Sequence, residues 1–189
     1  MNVLMLGAQG AGKGTQAKRI AAEYGIPQIA TGDMLRASIA DGDPFGVRPI
    51  LDAGLLVPDD LMIQLIRARL AQPDAEGGFV LDGFPRTMAQ AEALDAMLRE
   101  IGRELDVVFE LQLPEQVCID RLTKRAAEEG RADDTPEAIR TRLDLYHRET
   151  EPLVEHYRAT GNLVGIHADR TVDEVFAEIQ EALDQVVVR

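Results

Sequence analysis

The chain has 189 residues, is 46% hydrophobic and carries a formal net charge of −13. That length allows one compact domain with small inserted lobes, and the acidity excludes non-specific nucleic-acid binding, which needs a basic surface. No apolar run approaches the ~18 residues of a membrane span, the start MNVLMLGAQG lacks the basic region of a secretory leader, and the single cysteine, Cys118, permits neither an internal disulfide nor a multi-cysteine zinc site, so a reducing cytoplasm is the expected setting.

In chain order, residues 3–6 read as a buried strand and 13–24 as a helix stopped by Gly25 and Pro27. Residues 28–30 form a short strand, and 31–40 a helix with Thr31 in the capping place. Gly42, Pro44 and Gly46 punctuate a turn before a short helix that ends at Ala53. Pro58 suits the first turn of a helix reaching Ala71. A strand at 79–81, a helix at 87–101, a strand at 107–113 and a helix at 114–125 follow. A polar break, AAEEGRADD, then precedes a long helix over 135–160, kinked at Pro152. A strand at 163–166 and a helix at 172–187 come last. This alternation predicts an α/β fold built on a doubly wound parallel sheet. Residues 30–57 and 124–134 break the rhythm and read as lobes inserted into a single domain spanning 1–189.

The stretch GAQGAGKGT, residues 7–15, joins the first strand to the first helix. Backbone N–H groups in such a loop converge on an anion, and the helix N-terminus adds partial positive charge. Glycines let the backbone approach phosphates without Cβ clashes. In a chain this acidic, positive charge must be concentrated where a phosphate sits, and Lys13 is one of only three lysines, with Lys18 and Lys124. The usual phosphate loop ends Gly-Lys-Ser/Thr with the hydroxyl on magnesium. Here Gly14 holds that place and Thr15 follows, so direct ligation by a loop hydroxyl is not expected.

Four ordered stretches, GAQGAGKGTQ, TGDMLR, GLLVPD and DGFPRTMAQ, make the chain resemble the adenylate kinases over essentially its whole length. The resemblance implies a P-loop fold with a nucleoside-monophosphate lobe at 30–57 and a short lid at 124–134. It implies reversible phosphoryl transfer from Mg²⁺-ATP to AMP, giving two ADP, in purine-nucleotide homeostasis. By correspondence, Lys13, Arg86, Arg121, Arg125, Arg131 and Arg142 carry the transfer. ATP is held by Gly10, Ala11, Gly12, Lys13, Gly14 and Thr15, with Arg121, Arg125 and Arg170, the last through its backbone. AMP is held by Thr31, Arg36, Leu55, Leu56, Val57, Gly83, Phe84, Pro85, Arg86, Gln90, Arg131 and Arg142. Asp82 organises magnesium through water. Asp133 and Asp134 bond the lid arginines, against a competing reading as a solvated cap for the next helix.

The chemistry asks for such a set. An AMP phosphate has its second pKa near ~6, so the nucleophile needs no general base, and none of His147, His156 and His167 reads as one. Two polyanions must instead be aligned and neutralised, which suits the always-charged, planar arginine fork. Arg140 and Arg148 read as solvated. Thr31 and Gln90 match the AMP-type pattern rather than that of the UMP/CMP kinases, the nearest alternative. A non-catalytic nucleotide sensor is a further alternative, opposed by the full arginine set with Lys13 and Asp82. Only AAEEG separates Arg125 from Arg131, which leaves no room for a β-rich lid and implies no structural zinc. The expected partners are ATP, AMP and ADP alone, with no nucleic acid or membrane, on a monomer.

Overall fold

In chain order the elements are β1 (Asn2–Leu6), α1 (Lys13–Tyr24), β2 (Gln28–Ala30), α2 (Thr31–Ala40), α3 (Arg48–Asp52), α4 (Asp59–Leu70), β3 (Phe79–Asp82), α5 (Met88–Glu100), β4 (Val107–Gln112), α6 (Glu115–Glu129), α7 (Pro136–Leu145), α8 (Pro152–Thr160), β5 (Leu163–His167) and α9 (Val172–Val187). They come from a computed structural model that describes residues 1–130 and 134–187. Among the described residues the strands form one parallel sheet, ordered β2-β3-β1-β4-β5.

β1 shows why the sheet is central. All five of its residues are buried, and successive side chains point to opposite faces. Leu4 and Leu6 join Ile29, Leu81, Ile66, Leu94 and Leu153 in one core, under α4, α5 and α8. Val3 and Met5 join Val80, Phe109, Ile20 and Ile179 in the other, under α1 and α9. A strand covered on both faces must be apolar throughout, as parallel strands are. A third, smaller core of Cys118, Leu122, Ile139 and Leu143 joins α6 to α7, so Cys118 packs as the small hydrophobe its position suggests.

Side by side, β1 and β3 pair Met5 with Asp82. The connection from β1 to β2 carries α1 on one face of the sheet, and that from β3 to β4 carries α5 on the other. Adjacent strands whose connections diverge leave a crevice beyond their carboxyl ends, where open α/β sheets bind ligands. The glycine loop and residues 83–87 both start there.

Four local expectations change. First, α6 runs through Ala126, Ala127, Glu128 and Glu129 into the polar break. These are good helix formers, Lys124 and Glu128 pair across one turn at 3.7 Å, and Gly130 is the stop, at φ 62°. Second, the long helix is split by a π-helical turn, Tyr146–Thr150. Glu151 N–H bonds to the Tyr146 carbonyl five residues back, which accommodates the ring and missing N–H of Pro152. Third, Thr31 is already helical, and its hydroxyl donates to the Asp82 carbonyl at 3.3 Å instead of capping. Fourth, Pro58 is the residue before α4, whose first turn starts with Asp59.

Thr135 does cap α7, accepting the Ala138 N–H at 3.2 Å. Thr135→Ala should cost about 1 kcal/mol in urea unfolding, and Thr135→Ser should restore most of it.

Candidate active site

The loop between β1 and α1 keeps its shape through backbone that other residues resist. Gly10 lies at φ 85°, and a methyl group there would sit 2.7 Å from the Cys118 carbonyl oxygen. Gly12 lies at φ 94°, yet a methyl there would meet no atom within 4 Å. Gly10 is needed for the close packing of α6, and Gly12 for a turn that faces open space. That space is a cleft of about 540 Å³ bordered by Gly10, Ala11, Gly12, Lys13, Gly14 and Thr15.

Lys13 opens α1 and curls back over its own loop, donating to the Gly7 and Ala8 carbonyls at 2.7 and 2.9 Å. Burial pushes its pKa down to about 8; Asp82 opposes that lowering and Arg86 adds to it. Asp82 ends β3 beside Gly14, where a methyl would lie 3.2 Å from Asp82 Oδ2. Burial raises the Asp82 carboxyl, while Lys13 and Arg86 hold it down. Arg86 follows on the same strand end, its Nε donating to the Gly83 carbonyl at 2.8 Å. Burial lowers the Arg86 pKa, Asp82 works against that, and Arg142 and Arg36 add to it. One carboxylate among crowded cations is the electrostatic centre of the cleft.

The remaining cleft arginines come from α2, α6, α7 and the turn after β5. Arg36 of α2 pairs with Asp33 at 2.6 Å, one turn earlier. Arg121 of α6 reaches the Ala168 carbonyl at 3.1 Å. Arg125 binds Asp134 through Nε at 2.7 Å and Nη2 at 2.8 Å, and Arg142 Nη1 meets the same carboxylate at 2.7 Å. Burial alone would raise the Asp134 carboxyl, but these two guanidinium groups bring it below its usual value. Arg170 bonds the His167 carbonyl at 3.0 Å and pairs with Glu178. All five arginines border the cleft. Arg131 and Asp133 lie outside the described residues. His147 pairs with Glu115 and Glu151, and His156 with Asp95, away from the cleft.

A second, smaller slot adjoins the first. Thr31, Leu55, Leu56, Val57, Gly83 and Gln90 border it, and Arg86 borders both. Phe84 instead packs into the core, and Pro85 is buried; their contribution is the turn that carries Arg86. Sequence reasoning missed three supports. The Thr150 hydroxyl, on the π turn, donates to the Arg86 carbonyl at 2.8 Å. Asp59 accepts from Gln90 at 2.7 Å. Gln28 borders the main cleft and donates to the Gly14 carbonyl at 3.3 Å. Asp59 sits within GLLVPD and was open to notice; nothing marks Thr150.

Fold and site together define a P-loop phosphotransferase: a glycine loop at a helix N-terminus, at the sheet's switch point, ringed by arginines. The family profile described as adenylate kinase matches residues 5–162. An adenylate kinase of Caulobacter vibrioides (strain NA1000 / CB15N) is 48% identical over 188 residues, covering 98% of each chain. One from Clavibacter michiganensis subsp. michiganensis is 50% identical over 183 residues, 96% of this chain and 92% of that one. One from Stenotrophomonas maltophilia (strain R551-3) is 45% identical over 185 residues, 97% and 99%. The chain belongs to the adenylate kinase family and is a nucleoside-monophosphate kinase. No helix among the described residues is long and apolar enough to cross a membrane.

The lowered Lys13 pKa has a measurable consequence. A triphosphate set against the ammonium would favour its charged form, so binding there would raise the pKa above about 8. ATP itself is fully ionised at that pH. Calorimetry at pH 8 in buffers of different ionisation enthalpy should show uptake of about half a proton, with affinity falling as pH rises further. Zero uptake at pH 8 would contradict this.

Proposed function

We propose that the protein transfers the terminal phosphoryl group of ATP to AMP, giving two ADP, and so balances the purine nucleotide pool. The observation that carries the reading is the convergence on one cleft of Lys13, Arg36, Arg86, Arg121, Arg125 and Arg142, next to a slot bordered by Thr31 and Gln90. Relatives named adenylate kinase cover almost the whole chain.

In this reading the loop and Lys13 hold the ATP phosphates, with Arg121 and Arg125 above them and the Arg170 backbone beside the ATP base. Arg36 and Arg86 hold the AMP phosphate, joined by Arg142 and Arg131. Thr31, Gln90, Gly83 and the 55–57 segment receive the AMP base. An oxygen of the AMP phosphate attacks the γ-phosphorus, and the bond from that phosphorus to the β–γ bridging oxygen breaks. The electron pair leaves with the ATP-derived ADP, and no proton need be removed from the nucleophile. Arginines from α2, α6, α7 and the β3 end fix the in-line geometry and offset charge on the transferring group. The donor set fits the magnesium ion that such kinases use. A partly buried carboxylate beside the loop, Asp82, suits a hard cation that keeps most of its waters. When bound, the ion neutralises phosphate charge. Lobe 30–57 and lid 124–134 close over the nucleotides and exclude water, which would otherwise accept the phosphoryl group.

Arg86→Lys keeps a charge but loses the planar fork. Turnover should fall by roughly 10²-fold or more, as on removing one preorganised donor, and Lys13→Ala should be at least as severe. Near-normal turnover of Arg86→Lys would remove that residue from the mechanism.

The reaction is tested by a ³¹P NMR time course with Mg²⁺-ATP and, in turn, AMP, CMP, UMP and GMP. Rapid ADP formation with AMP alone is expected. A preference for CMP or UMP would make this a pyrimidine nucleotide kinase, and ATP binding with no transfer would make it a sensor.

A further inference from the structure

The amide of Gln90 is held from two sides. Gln90 sits in the first turn of α5 and is 2% exposed. Its Oε1 accepts the backbone N–H of Arg86 at 2.8 Å, and its Nε2 donates to Asp59 Oδ1 at 2.7 Å. The same Asp59 oxygen accepts the Thr87 hydroxyl at 3.0 Å. The Thr87 oxygen takes the Gln90 backbone N–H at 3.3 Å, so its own proton is directed at Asp59.

The two ends of a glutamine amide have nearly the same shape, and only their partners distinguish them. A half-turn of this amide would set Oε1 against a carboxylate and NH₂ against an N–H. Both contacts would be repulsive, so the amide has one orientation. Each end keeps one unused function: a lone pair on Oε1 and an N–H on Nε2. Asp59 occupies the first turn of α4, and its carboxylate is an acceptor only.

We propose that Asp59 is a specificity-determining positioning residue: by locking the Gln90 amide, it makes the slot accept 6-aminopurine nucleotides and reject 6-oxopurines. The assignment rests on the AMP reading above. Adenine presents an amino donor at C6 beside an acceptor at N1. Hypoxanthine and guanine present the inverse, an oxo acceptor beside an N1–H donor. A glutamine free to turn would suit either edge, so glutamine alone does not discriminate. The lock does, because a 6-oxopurine then meets acceptor with acceptor and donor with donor in a site that has lost its water.

IMP is the probe, since it differs from AMP only along this edge. With Asp59→Asn, residue 59 can donate as well as accept, and turning Gln90 is opposed only by the Arg86 N–H. kcat/KM for IMP should rise about tenfold or more in absolute terms, and that for AMP should fall, with KM for ATP unchanged. Asp59→Ala should shift the ratio in the same direction. A merely structural role would lower both acceptors alike, and equal losses would overturn the assignment. In the wild type, NMR of the Gln90 side-chain amide gives a test that needs no variant. The proton donated to Asp59 should be protected from solvent exchange; rapid exchange of both amide protons would also overturn the lock. A wild-type preference for CMP or UMP over both purines would overturn the AMP reading, and this assignment with it.

Discussion

Cations that must meet phosphate have to be held together before the phosphate arrives. At 4 Å two unit charges repel by about 4 kcal/mol at an effective dielectric of 20, so arginines gathered in one cleft carry electrostatic strain. The structure relieves it with local acceptors. Lys13 rests on two loop carbonyls, Arg86 on the Gly83 carbonyl and Arg121 on that of Ala168. Asp33 holds Arg36, and Asp134 holds Arg125 and Arg142 together. Asp82 offsets the crowding of Lys13 and Arg86 at the centre. Such contacts hold donors near their working places, so less reorganisation remains for the substrate to drive.

The sheet is the part that does not yield. Met5 pairs with Asp82, and Ala30 with Asp82 on the far side. The glycine loop and Thr31 therefore each begin one strand spacing from the Arg86 turn, on either side of it. β1, β3, β4 and β5 contribute to the cores on both faces, and β2 adds Ile29 to one of them. Arg121, Arg125 and Arg142 lie on α6 and α7, joined to each other by the small core of Cys118, Leu122, Ile139 and Leu143. The fold thus separates the glycine loop and Arg86 turn, set on the sheet, from the helices that carry Arg121, Arg125 and Arg142 beside the cleft.

What was legible in the sequence was local or repeated by motif. The apolar run of β1, the glycine loop, the Gly25 stop and the whole of α9 follow from short-range rules, and each has its place in the structure. The sheet order was not readable, because it depends on contacts between residues far apart in the chain. The break after Arg125 was misread because glutamates and glycine look like a loop, whereas two alanines and an i,i+4 pair carry the helix on. Thr31 was misread because a threonine before a helix resembles a cap, and only the neighbouring β3 offered its hydroxyl another acceptor. Asp134 reads in the sequence as a partner of the lid arginines, with a solvated cap as the competing reading; Arg125 and Arg142, from different helices, make it a buried bridge. Thr150 left no signal, since its partner is a main-chain carbonyl 64 residues away.

The central claim is that one continuous cationic cleft aligns two nucleotides end to end. Calorimetry with two adenosines joined by five phosphates tests it most directly. The account predicts one molecule bound per chain, orders of magnitude more tightly than ATP or AMP alone, and weakened sharply by Arg86→Lys. Two molecules per chain, or an affinity no better than that of ATP, would contradict it.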